Sequence, residues 1–147
     1  MIELILTRYV HFIGIIIVFA LVFAENVMLK ERLSRSEISR LFKVDNIYGL
    51  FSIIVVGAGL YLWLGIGKPA DYYSQNHIFL TKVSLFILVG ILSLWPSIFY
   101  FKNRKGDPDQ SVLVPSKIRW IVKIELAILI LIPLLATIMA QGVGLVK

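Results

Sequence analysis

Four long apolar runs divide this chain. The first extends from about Leu6 to Leu29 and the second from about Asn46 to Gly67. The third extends from about Ile78 to Phe101 and the fourth from about Ile118 to Ala140. Each is near the ~20 residues that a hydrocarbon core of about 30 Å requires. In lipid, backbone polar groups must be satisfied within the segment, so the runs predict helices rather than strands. The expected fold class is all-α, an integral membrane four-helix bundle forming a single transmembrane domain over residues 1–147.

Polar residues break this pattern at few places. The stretch TRYVHFIGIIIVFALVFAE, Thr7 to Glu25, carries His11 near one end and Glu25 at the other. At about 100° per residue the two return to within roughly 40° of one face, about 21 Å apart along the axis. Gly14 and Val18 fall on the same stripe. Ionisable groups inside a bilayer are costly and normally point into a bundle toward a partner.

Composition supports a membrane class. The chain is 59% hydrophobic and 16% charged, against about 45–50% and 25% for soluble domains. It has no cysteine, which excludes disulfides, iron–sulfur ligation and thiolate nucleophiles. The net charge of +6 does not point to nucleic acid, because the basic residues sit in short loops beside apolar spans. Lys30 to Lys43 and Lys102 to Arg119 hold five basic residues each, ten in all, whereas Arg8, Lys68 and Lys147 are the three on the other side. The positive-inside rule then places these two loops in the cytoplasm and both termini outside. MIELILTR lacks a positive start, so the first run is expected to persist as a span rather than be cleaved as a signal peptide.

The first loop has its own pattern. Leu33, Ile38, Leu41 and Phe42 recur among charges, and Glu37 lies three residues after Ser34. That spacing predicts a capping box and a short helix lying on anionic lipid. Gly106-Asp-Pro-Asp predicts a turn.

The candidate chemistry sorts by depth. An outer layer holds Arg8 and His11 on the first span, Tyr72 and Tyr73 in the loop, and His77 and Lys82 on the third span. His11 and Lys82 are each about five residues into their helices, roughly 7 Å deep, so they can meet across the bundle. A neutral imidazole can ligate haem iron or another metal, or accept a proton. An inner layer holds Glu25, Asn26, Asp45, Arg119, Lys123 and Glu125. There Glu25 and Glu125 are countercharge candidates for Arg119 or for donors near Asp45, with Glu125 about 9 Å deeper than Arg119 and on a different face, while Lys123 is expected to snorkel to the interface. The second run presents Asp45, Gly49, Ser52, Val56, Gly59 and Trp63 on one face, and its small residues predict close approach of another backbone. No phosphate-binding glycine loop and no HExxH motif occurs, and two histidines are too few for a dihaem site.

Several segments together resemble a known family. YVHFIG, FAEN, DNIYGL, YYSQNHIFLTK, SLWPS and IPLLATIMAQG cover nearly the whole chain in order. They are similar to the bacterial inner-membrane family designated domain of unknown function 2214, which implies four membrane helices and no established activity. A more distant likeness is to the HemJ-type protoporphyrinogen oxidases. The helix-one histidine and helix-three lysine of that family would correspond to His11 and Lys82. Arg119 and Glu125 stand near the place of its arginine and glutamate, but the spacing is longer, and neither the asparagine nor the proline of that motif is present.

The leading expectation is a redox protein binding haem or another tetrapyrrole. Its candidate catalytic residues are His11, Lys82 and Glu125. Its cofactor contacts would be His11, Lys82, Arg8 and Tyr73, with His11 as metal ligand. Expected partners are the lipid bilayer and a membrane redox protein or a second copy. The alternative is a non-catalytic scaffold or accessory subunit whose polar pairs only fix helix packing. A transporter ranks last, because no polar side chain lies between Ile15 and Phe23.

Overall fold

The structure, a computed structural model, describes residues 1–144; Lys147, counted above in the outer charge, lies outside them. Four helices are long and apolar enough to cross a membrane. They are α1 (Ile2–Met28), α2 (Arg35–Tyr61), α4 (His77–Asn103) and α5 (Ser116–Ala140). A five-residue helix, α3 (Ala70–Ser74), lies between α2 and α4. The second span continues past Tyr61 through a π-helical turn, Leu62–Ile66. Leu62 N–H then reaches the carbonyls of both Ala58 and Gly59.

The helices stand up and down, and both described termini lie at one end. Glu3 accepts a hydrogen bond from the Tyr61 hydroxyl at that end. Asn76 Nδ2 donates to Val143 O at 3.2 Å, and His77 N–H donates to Gly144 O at 3.2 Å. The core follows the sequence stripes. Gly14, Val18, Val22 and Glu25 are the buried residues of α1, and Val122, Glu125 and Leu129 are among those of α5. Outward positions such as Phe12, Phe23, Ile53, Ile87, Ile91 and Ile130 are large, apolar and exposed on every span, as lipid-facing positions must be. Lipid tails are as apolar as these side chains, so the helices are held by close packing and interhelical hydrogen bonds rather than by the hydrophobic effect.

The first loop corrects an expectation. The capping box is present: Ser34 Oγ accepts from Glu37 N–H at 3.2 Å, and Glu37 Oε2 accepts from Ser34 N–H at 2.7 Å. The helix it starts is not separate, because α2 runs unbroken from Arg35 into the span. Nor does its apolar face lie on lipid. Ile38 and Leu41 are fully buried and pack with Leu33, Tyr100, Val114 and Ile118 in a core of their own.

A small sheet closes this end. β1 (Arg32–Ser34) pairs antiparallel with β2 (Ser111–Leu113), with Leu33 opposite Val112. Arg35 links the two loops, donating from Nε to Gln110 Oε1 at 2.6 Å and from Nη1 to the Asn103 carbonyl at 2.8 Å. The turn at Gly106 has φ +128°, a conformation open to glycine and rare for other residues.

The small residues of the α2 face divide, with Gly59 at a close contact and Gly49 not. A Cβ on Gly49 would meet nothing within 4 Å, so no backbone approaches there. The close contacts lie between α1 and α2 farther along. A Cβ on Gly14 would stand 2.6 Å from Val55 Cγ2, and one on Gly59 would stand 3.1 Å from His11 Cε1.

Candidate functional site

The inner half of the bundle contains a layer of buried carboxyls. Glu25 on α1 and Glu125 on α5 are each 1% exposed, and Asp45 on α2 is 5% exposed. All three lie within electrostatic reach of one another. α4 completes the layer with hydroxyls. Ser97 Oγ donates to Asp45 Oδ1 at 2.8 Å, and the Tyr100 hydroxyl faces Glu25 Oε2 at 3.4 Å. Glu25 Oε1 and Glu125 Oε1 are sealed from solvent and make no hydrogen bond.

The expected countercharge is not there. Arg119 Nη1 donates instead to the Val114 carbonyl at 2.9 Å, on the side away from Glu125, because the guanidinium caps the turn that leads into α5. Lys123 is exposed, with its Nζ 5.0 Å from the Trp120 ring centre. Among the described residues no basic side chain bonds to any of the three carboxyls. Three interacting carboxyls in one dry layer titrate as a set, so the charge of the layer depends on how many protons they hold between them. Asn26 braces the same region, donating from Nδ2 to the Val22 and Val122 carbonyls at 3.0 Å each.

Beside the layer, α2 and α4 diverge. A cavity of about 180 Å³ separates them, lined on α2 by Asp45, Tyr48, Gly49 and Ser52 and on α4 by Phe86, Gly90, Ser93 and Ser97. Ser52 Oγ is buried there without a hydrogen bond. A wider groove of about 600 Å³ shares Asp45, Gly49 and Ser97 and continues past Leu50 and Ile98 to Phe42 and Phe101.

The outer layer is arranged differently. His11 Nδ1 lies 2.9 Å from the Val55 carbonyl. A carbonyl can only accept, so Nδ1 carries the hydrogen, and in the neutral ring Nε2 keeps its lone pair. Lys82 is within electrostatic reach of His11, but its Nζ stands over the Phe79 ring at 5.2 Å. Tyr73 packs on the same ring at 5.2 Å, and Trp63 meets it edge-on at 4.9 Å. Lys82 and Tyr73 thus share one aromatic cluster, with His11 near it and Arg8 exposed on α1. His77 is exposed at the start of α4.

Sequence reasoning placed Asp45 in the inner layer but did not pair it with Ser97. The signal was present: Asp45, Gly49 and Ser52 recur on one face of α2, and Ser93, Pro96 and Tyr100 recur on one face of α4. What was missing was that these two faces oppose each other.

No curated protein and no solved structure matches the chain. A family model described as a predicted membrane protein matches residues 3–144, nearly the full length. With four helices able to span a bilayer, the chain belongs to that family, DUF2214.

Proposed function

We propose that the protein is a multi-pass protein of the bacterial inner membrane whose working centre is the Glu25–Asp45–Glu125 layer, which takes up and releases protons inside the membrane. The basic loops would face the cytoplasm and both termini the periplasm. One observation carries the reading: three carboxyls from three helices share a buried layer, and no bonded base neutralises them. Intramembrane carboxyls without a structural countercharge are costly, and where they occur they commonly serve proton transfer. The α2–α4 cavity supports this reading, since it reaches the layer at Asp45 and is large enough for water.

Infrared difference spectra of the purified protein between acid and alkaline buffer test it. Carboxylic acid bands should change with pH, and Glu25→Gln, Asp45→Asn and Glu125→Gln should each remove part of the change while the helices persist. Bands that do not respond to pH would leave the carboxyls as packing elements and favour the scaffold reading.

A second reading keeps haem or another tetrapyrrole, with His11 as ligand or proton acceptor and with Lys82, Tyr73 and Arg8 as candidate contacts. It is supported by the His11 tautomer. An Nδ1–H held on a backbone carbonyl with Nε2 free is the arrangement that metal-binding histidines use. Glu125 would then move the proton. The absorption spectrum of the protein offered haem, oxidised and reduced, should show a Soret band that His11→Ala abolishes. A colourless wild type would remove the ligand role.

A further inference from the structure

We infer that the cleft between α2 and α4 binds a membrane-dissolved organic amine, with its ammonium group seated on Asp45. Asp45 is 5% exposed and lines both the inner cavity and the wider groove. Ser97 occupies its Oδ1, and Oδ2 makes no hydrogen bond to the protein. Ser52 Oγ, buried without a partner, lines the same inner cavity. A primary ammonium has three donors, which suits the free carboxylate oxygen and the Ser97 hydroxyl beside it, while Ser52, about 10 Å farther along α2, stands at the far wall of the cavity.

Charge selects the class of ligand. Among the described residues no Lys, Arg or His lines either cavity, and the carboxyl that reaches both is Asp45. Ionised, it would attract a cation and repel an anion. A metal ion is a poorer fit, because no group of three ligating side chains converges among the described residues.

The shape of the cleft is set by glycines that packing does not need. Gly49 and Gly90 line the inner cavity from opposite helices, and a Cβ on either would meet nothing within 4 Å. Glycine inside a helix is destabilising relative to alanine. Here the missing side chains leave room in front of Asp45. The wider groove leads outward past Leu50 and Ile98, which are 57% and 52% exposed. An apolar tail would lie there and enter from the bilayer. At the end of the groove the Arg104 guanidinium stands 4.4 Å from the Phe42 ring centre and 4.5 Å from that of Phe101, so these rings are occupied by a fixed cation and the place for a second one is the Asp45 end.

The inference deepens the proposed function at Asp45 alone, where amine and proton would compete for one carboxyl. Equilibrium dialysis of the full chain in lipid nanodiscs against radiolabelled 4-phenylbutylamine, corrected with empty nanodiscs, tests it. Saturable binding is expected, weakened at least about tenfold by Asp45→Asn and strengthened as pH rises from acid toward neutral. Gly49→Leu should fill the cavity and weaken binding without touching a carboxyl, and 4-phenylbutanol should not compete. Absence of saturable binding overturns the inference, as does unchanged binding in a folded Asp45→Asn or Gly49→Leu variant, or equal competition by the alcohol. Carboxyl infrared bands that respond to pH in a protein that binds no amine would overturn this inference and leave the proton-handling centre standing. Amine binding with silent bands would do the reverse.

Discussion

Asp45 on α2 and Ser97 on α4 meet through a 2.8 Å hydrogen bond at the point where the inner cavity and the wider groove join. Ser97 follows Pro96, a buried residue inside an unbroken helix. Proline lacks an N–H, so a carbonyl one turn earlier loses its usual donor. The Ser97 hydroxyl does not replace that donor but reaches across to Asp45.

Removing that hydroxyl should be felt. Ser97→Ala leaves Asp45 Oδ1 without its donor. The loss should be of order 1 kcal/mol, since buried orphaned acceptors cost about 1–3 kcal/mol and interhelical bonds in membranes average nearer 0.6. Ser97→Thr should keep most of the stability. Unfolding in mixed micelles by added denaturing detergent measures both.

Two glycines should respond in opposite directions. Gly49→Ala should stabilise the protein by roughly 0.5–1 kcal/mol, because the new methyl enters open space and the unfolded chain loses freedom. Gly67→Ala should destabilise it by more than that, because its Cβ would overlap the carbonyl oxygen of Leu62, the first residue of the π-helical turn that Gly67 closes. Thermal unfolding of the two variants in detergent compares them directly.

Tyr100→Phe should change little. Its hydroxyl lies a long 3.4 Å from Glu25 Oε2, so the bond is weak by geometry. The expected cost is below about 1 kcal/mol. A larger loss in the same unfolding assay would mean that the hydroxyl carries more of the layer than this distance implies.

Arg35→Ala should loosen the basic end. It removes the bonds to Gln110 and to the Asn103 carbonyl, which hold the turn from Gly106 to Gln110 against the start of α2. Limited proteolysis should cut at Lys102, Arg104 or Lys105 severalfold faster in the variant, with the membrane helices left intact.

Much of the fold was legible in the chain because its causes are local. The length of each apolar run, the period of the Gly14–Val18–Glu25 stripe and the Ser34–Glu37 capping box depend on neighbours within a few turns. Four helices and a helix start at Ser34 follow from them, but not that the helix starting there runs on into the second span. The His11 and Glu125 positions were visible for a related reason, since an ionisable residue in an apolar run stands out whatever it faces.

What tertiary structure decided was pairing. The sequence offers Arg119 as one candidate countercharge for the buried carboxyls, yet its guanidinium turns back to the Val114 carbonyl. The apolar face of the first loop could have lain on lipid, yet Ile38 and Leu41 are sealed against Tyr100 and Ile118 by the β1–β2 strands. Gly49 and Gly59 read alike in sequence, yet one faces a cavity and the other the His11 ring. A helix stripe states which residues turn inward. Only the rotation and spacing of neighbouring helices determine what each inward residue meets, and that geometry set Asp45 before Ser97 at the mouth of a cleft.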